Sequence, residues 1–305
     1  MKSSKNVLLE EKKCAPSKTY TDGSCFSYES LLKIINKYNE TNNINKINIS
    51  NNKEELVNEL TEKLSNKCSS QTCWLKLNII KELEDDELLY NTFRPYGPSN
   101  KYDWLSTKHI NDVIYQYHML HNDFLFLGAV PYDFEDLPIL EIYNINFKEL
   151  ENDGKHKIGL VINLDEHYKS GSHWVGLYTD LVKNQIYYYD STGRKPKYRI
   201  KKFMNKILQY LYYKKYNINL PILEVLDNIK NKKFNNIHVK NLINTMDIRY
   251  NNIQHQYKNT ECGVYSIYFI VKLVNNILFD DVINNIVLDD EMQKNRNIFF
   301  RNNNF

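Results

Sequence analysis

The segment VYSIYFIVKLV, residues 264–274, constrains the fold more than any other part of the chain. Val264, Ile267, Tyr268, Val271 and Val274 recur at helical spacing and make one apolar face. Tyr265, Phe269, Ile270 and Leu273 cover most of the rest. A helix apolar on nearly every side has no face to give to water, so it belongs at the centre of a core. Cys262 and Gly263 open it. The first turn of a helix carries N–H groups without intrahelical partners and a partial positive charge. Both lower a thiol pKa and favour the nucleophilic thiolate. Glu261, an adjacent anion, acts in the opposite direction. Gln256 lies six residues upstream of Cys262, and its amide can donate to an oxyanion above the sulfur. The pattern points to covalent catalysis by Cys262, which then requires a base and a group to orient that base.

Both occur upstream, in SGSHWVGLYTDLVKNQIYYYDSTGRKP, residues 170–196. Its aromatic and β-branched content predicts two short strands, 173–179 and 186–190, joined by a polar turn. A hairpin symmetric about Leu181 and Val182 sets His173 opposite Asp190. Directly opposed side chains have Cβ atoms roughly 4.5–5.5 Å apart. The expected roles follow. Cys262 is the nucleophile, His173 the base and Asp190 its orienting carboxylate, while Gln256 and the Cys262 amide bind the oxyanion. Taken singly, each residue has a plainer reading: a buried core cysteine, a structural histidine, an Asx-turn aspartate. Their order along the chain is what favours the catalytic reading.

The succession His173-Trp174, Asp190, then Gln256 and Cys262-Gly263 resembles the cysteine proteases of the adenovirus and SUMO-protease clan. YDWLSTKHINDVIYQYHML, residues 102–120, resembles the helix that opens the SUMO-protease catalytic domain. In that family a Trp before this helix and the Trp after the histidine roof a narrow tunnel for a Gly-Gly tail. The resemblance thus implies substrate-binding roles for Trp104, Trp174 and Gly263. The family usually has Asp three residues after the first Trp. This chain has Thr107, which removes an ion pair used there for ubiquitin-like partners. A narrower resemblance rests on residues 22–39, 73–83, 93–118 and 124–134. Together these look like the maturation proteases of large cytoplasmic DNA viruses.

That resemblance implies an α+β fold. A mixed central sheet is flanked by helices, the catalytic cysteine heads a buried central helix, and a helical arm precedes the core. It implies cleavage of viral structural polyproteins after small, Gly-Gly-like residues during virion maturation, in infected cytoplasm or in the particle. Removal of a ubiquitin-like modifier is the alternative enzymatic expectation. The clan also holds acetyltransferases, whose basic pocket has no clear signature here. A catalytically silent scaffold or binding module is the alternative of a different class.

Composition adds exclusions. A formal charge of +3 argues against a dominant nucleic-acid or membrane interaction. No apolar run reaches about 18 residues, so no transmembrane helix is expected. The start, MKSSKNVLLEEKK, lacks the apolar core of a signal peptide. Five irregularly spaced cysteines in a chain this long read as free thiols in a reducing compartment. No metal or cofactor is expected, since Cys68-x₄-Cys73 with Cys14 and Cys25 is a loose zinc pattern without a nearby histidine.

The expected organisation is a mobile polar leader at 1–20, a helical arm at 21–92 and a catalytic core at 93–305, with FRPYGPSN as the boundary. In the arm, Asp22 or Ser24 caps a helix through Tyr38, and further helices cover 53–64 and 73–83. In the core, Ser106 or Thr107 caps a helix to Leu120, FLFLGAV and KIGLVINL are buried strands, and 201–215 is a helix. Residues 238–245 suggest another strand. Two other motifs compete for function. Asp22-Gly-Ser-Cys25 is similar to the motif of ovarian-tumour deubiquitinases, with His255 as the only late candidate for its partner histidine. Lys33, Lys37, Lys46 and Lys53 offer phosphate contacts, although the interspersed acids favour an arm that docks protein.

Overall fold

The computed structural model describes residues 9–231 and 246–302. The chain divides into two compact units: one runs to Lys101 and resumes at Arg296, the other is Tyr102–Asn295. The strand expected at 238–245 lies outside the described residues.

The first unit is helical. It contains α1 (Tyr28–Thr41), α2 (Lys53–Leu64) and three short helices, α3 (Gln71–Trp74), α4 (Asn78–Lys81) and α5 (Asp86–Tyr90). Ser27, not Asp22 or Ser24, caps α1 by accepting the Ser30 N–H. Asp22 and Gly23 adopt positive φ in a tight turn closed by Thr21 and Ser24, so helix cannot begin there. Leu31, Ile34 and Ile35 of α1 pack with Leu56, Leu60 and Leu64 of α2 around Trp74 and Phe26. The stretch FRPYGPSN belongs to this unit, whereas it was expected to open the core. Its attachment explains why: Gly97 N–H and the Arg301 carbonyl pair, as do Arg301 N–H and the Pro95 carbonyl, and the Arg301 guanidinium lies over Phe93 and Tyr96.

Two further expectations are corrected here. The described part of the leader, residues 9–20, is tied down: Ala15 is buried and donates to Thr92, and Cys14 is bonded to Cys25. Four cysteines are not free, because Cys68 is likewise bonded to Cys73. The Cα–Cα separations of 5.3 and 5.5 Å suit a disulfide. Cys262 is the remaining free cysteine.

The second unit is built on a five-stranded sheet in the order β1 (Phe124–Val130), β2 (Lys157–Asn163), β3 (Trp174–Asp180), β4 (Gln185–Tyr189), β5 (Asp247–Tyr250). The outer pairs β1–β2 and β4–β5 are parallel, and the inner pairs are antiparallel. Strand alternation divides the faces. On one, Ile158, Leu160, Val175, Leu177 and Tyr188 meet Phe203, Ile207 and Leu211 of α7 (Tyr198–Tyr216). The other receives α8 (Cys262–Val274), the helix foreseen from its all-round apolarity. Glycines let it come close: a Cβ at Gly176 would stand 2.5 Å from the Phe269 ring, and one at Gly159 would stand 3.3 Å from Ile270. Phe269 also stacks on Tyr189. Helix α6 (Thr107–Leu120) packs beside it, with Ser106 and His109 closing a capping box.

Candidate active site

The candidate catalytic groups lie at one end of the sheet. β3 begins at Trp174 and β4 ends at Tyr189, so His173 and Asp190 flank the same end of the hairpin. His173 Nε2 and Asp190 Oδ1 are 2.7 Å apart. Cys262, the first residue of α8, also acts on the imidazole, through hydrogen bonding and charge. Burial pushes the imidazole towards its neutral form. Hydrogen bonds and negative charge from Asp190 and Cys262 outweigh that effect and raise the pKa to about 9. Burial likewise opposes the Asp190 charge, but His173 and the Thr192 amide and hydroxyl hold its pKa below the usual carboxylate value.

The hairpin reaches this geometry in a register that differs from the symmetric expectation. Gly176 pairs with Tyr189 and Asp180 with Gln185. The turn is therefore centred on Val182 and Lys183, and Asp180 Oδ1 accepts both their N–H groups. By extension of that ladder Asp190 faces Val175, and His173 is its diagonal neighbour. Diagonal pairs lie roughly 7–8 Å apart between Cα atoms, still within reach of long side chains.

Asp190 is fixed from several directions. Thr192 donates to Oδ1 through its amide at 2.8 Å and its hydroxyl at 2.7 Å. The Asn251 side-chain amide brackets the Asp190 peptide, accepting its N–H at 2.8 Å and donating to its carbonyl at 2.7 Å. Gly193 turns at φ +73 where a Cβ would meet the 252–254 backbone at 3.1–3.3 Å. The loop after β4 and the segment leading to Gln256 therefore lie against each other.

Gln256 is buried. Its Oε1 accepts from Ser191 Oγ at 2.6 Å, and its Nε2 donates to the Lys258 carbonyl at 2.6 Å. Asp289 Oδ2 accepts the N–H groups of Tyr257 and Lys258, which fixes that carbonyl. Sequence reasoning missed Ser191, Thr192 and Asn251. The only available signal was the Asp-Ser-Thr-Gly run, which reads equally as a turn.

The two tryptophans differ. Trp174 is buried and its indole N–H donates to the Leu105 carbonyl at 3.0 Å. Leu105 in turn abuts Gly263, where a Cβ would stand 3.0 Å from Leu105 Cβ. Trp104 is 49% exposed. Leu105 is thus a further residue that sequence reasoning did not single out.

The competing motifs are engaged otherwise. Cys25 is consumed by its disulfide and precedes α1. His255 bonds the Ile283 carbonyl between the Tyr189 and Tyr265 rings, where burial lowers its pKa. Lys33, Lys37 and Lys53 are held by Asp85, by Glu82 and by Thr21 with Ser24. No cluster of three or more metal-ligating side chains occurs among the described residues. Among them, no helix is long and apolar enough to cross a membrane.

Comparison with known proteins fits this geometry. A protein of Acanthamoeba polyphaga mimivirus, described as a candidate thiol protease, is 29% identical over 95% of this chain and 93% of its own. An African swine fever virus protein named a SUMO-1 cysteine protease is 23% identical, covering 81% of this chain and 88% of its own. The crystal structure of the African swine fever virus protease superposes with a TM-score of 0.63 at 21% identity, over 96% of each chain, and so shares the fold. Residues 147–304 match the model of the Ulp1 protease family, C-terminal catalytic domain. The chain therefore belongs to the Ulp1 protease family and is a cysteine protease with relatives in large DNA viruses.

Proposed function

We propose that this protease is an endopeptidase that cuts viral structural polyprotein precursors after small, Gly-Gly-like residues during virion maturation, in the infected cell or the particle. The single observation that carries the catalytic assignment is the 2.7 Å His173–Asp190 contact on an imidazole also bonded to Cys262. With a pKa of about 9, His173 is an imidazolium at neutral pH and faces the sulfur as its counter-ion. Cys262 Sγ attacks the scissile carbonyl and the electron pair moves to oxygen. Gln256 and the Cys262 amide stabilise that oxyanion. As it collapses, the C–N bond breaks and His173 gives its proton to the leaving amine. Water, deprotonated by His173, then hydrolyses the thioester and regenerates the thiolate.

Trp104, Trp174 and Gly263 form the substrate channel in this reading. Leu105 links the last two, and small residues before the scissile bond suit so close a packing. The helical first unit docks the polypeptide substrate. A nucleic-acid role for it is disfavoured, because three of its candidate lysines are already paired. The alternative, release of a ubiquitin-like modifier, draws on the name of the African swine fever virus relative.

The test incubates the full chain with a polypeptide carrying internal Gly-Gly-X sites and, separately, with a SUMO fusion. Mass spectrometry reads the products. The proposal expects internal cleavage after Gly-Gly that disappears in Cys262→Ala and His173→Ala. Cleavage of the fusion alone would transfer the assignment to the modifier reading. Inertness towards both, with assembly unaffected by Cys262→Ala, would favour the scaffold reading.

A further inference from the structure

We infer that Ser191 is the positioning residue of the oxyanion site, acting through Gln256; the inference rests on the proposed reading of Gln256 as an oxyanion donor. A glutamine amide has two ends of nearly equal shape, and only the N–H₂ end stabilises an oxyanion. Some feature of the site must select that end.

The selection has two parts. The Lys258 carbonyl is an acceptor only, and it takes one Nε2 hydrogen at 2.6 Å. Turned end for end, the amide would set its own carbonyl oxygen against that of Lys258. At the opposite end Ser191 Oγ–H donates to Oε1 at 2.6 Å. Ser191 is 1% exposed, so water does not substitute for this donor. Together the two contacts define the amide plane and leave the second Nε2 hydrogen uncommitted.

The backbone of Ser191 does related work. Its carbonyl accepts the N–H groups of His255 at 2.8 Å and Gln256 at 2.9 Å. Ser191 also directly follows Asp190, whose peptide is bracketed by Asn251. One residue therefore joins the carboxylate that orients the base to the amide that receives the oxyanion. Without the hydroxyl, Oε1 is left buried without a donor. The amide then turns about its last torsion and its free N–H leaves the line to the reacting oxygen.

The test separates the oxyanion step from the nucleophile. Alkylation of Cys262 by iodoacetamide displaces iodide at carbon and forms no oxyanion. Cleavage of a fluorogenic Gly-Gly peptide amide does form one. Ser191→Ala is expected to keep the alkylation rate within about twofold of wild type and to leave KM unchanged. Its kcat should fall by about tenfold or more, short of the roughly 10²–10³ that follows loss of a whole oxyanion donor. In a Gln256→Ala background Ser191→Ala should cost nothing further.

Three results would overturn the inference. If Ser191→Ala keeps its kcat while Gln256→Ala loses it, the amide is positioned by other groups and the oxyanion reading stands. If alkylation slows in step with cleavage, Ser191 acts through Asp190 and the base. If Gln256→Ala cleaves as well as wild type, the oxyanion reading fails and takes this inference with it.

Discussion

Asp190→Asn tests the electrostatic logic of the site most directly. The substitution keeps the shape of the side chain and removes its charge. In the native protein Asp190 and Cys262 lift the His173 pKa from 6.5 to about 9 against the opposing effect of burial. That difference is worth about 3 kcal/mol in favour of the imidazolium. Without the carboxylate, only Cys262 is left to oppose burial, so the pKa should fall towards 6.5. At pH 7.5 the acid form is about 97% populated for a pKa of about 9 and about 9% for one of 6.5, roughly a tenfold loss. Peptide cleavage needs that acid to protonate the leaving amine. The alkaline limb of kcat/KM should therefore lie near pH 9 in wild type and move down towards pH 6.5 in the variant, each limb belonging to the coupled His173–Cys262 pair. Stability follows the same sign. A histidine pKa raised by folding stabilises fully below 6.5 and loses that contribution as pH rises through about 9. The carboxylate, with its pKa lowered, contributes above its ordinary value near 4. The stability gap between wild type and variant should thus be widest between about pH 4 and pH 6.5 and narrow as pH rises through about 9. A variant whose alkaline limb stays near pH 9 would refute the assignment of Asp190 as the group that sets the His173 charge.

Three further outcomes are expected. Gln256→Ala should lower kcat for peptide cleavage by about 10²–10³ while leaving the iodoacetamide rate of Cys262 intact; equal loss in both assays would remove Gln256 from the oxyanion role. Gly176→Ala drives a Cβ to 2.5 Å from the fully buried Phe269 ring. The overpacking should cost about 3 kcal/mol, lowering the thermal midpoint of the second unit by roughly 6–12 °C, and an unchanged midpoint would show that the helix is free to move away. The disulfides close short loops of 11 and 5 residues, each worth roughly 2–3 kcal/mol by loop entropy. Native alkylation of oxidised protein should label Cys262 alone, and reduction should expose four more thiols and lower the stability of the first unit. Five reactive thiols before reduction would disprove the pairing.

The elements that were legible in the sequence owe it to a strong local signal. The apolarity of residues 264–274 announced a buried helix, and the helix is buried along its length. Leu56, Leu60 and Leu64, four residues apart, marked α2, which spans Lys53–Leu64 as expected. Other elements rely on partners distant in sequence. β5 is only four residues long and pairs in parallel with β4 from nearly sixty residues away, a contact no local pattern announces. The cysteine pairing was misread because irregular spacing in a long chain suggests free thiols, whereas the bonds depend on how the leader folds back. Asp22-Gly-Ser-Cys25 misled for the opposite reason: its turn-forming residues make a turn, and the helix starts only at the next good cap, Ser27.

The hairpin shows why a site can survive an error in the fold that carries it. The symmetric register misplaced the turn centre by one residue, and this slid the two strands by two residues relative to each other. A one-residue slip would have sent every side chain to the opposite face, but a two-residue slip restores the face. His173 and Asp190 thus stay on one side and meet diagonally at 2.7 Å. What pulls the diagonal pair together lies outside the hairpin. Thr192 and Asn251 draw Asp190 inward, and Cys262 acts on the imidazole through hydrogen bonding and charge. Strand parity, which is local, made the dyad readable. The groups that tighten it come from a loop and a segment about sixty residues downstream, and such long-range contacts leave no periodic trace in sequence.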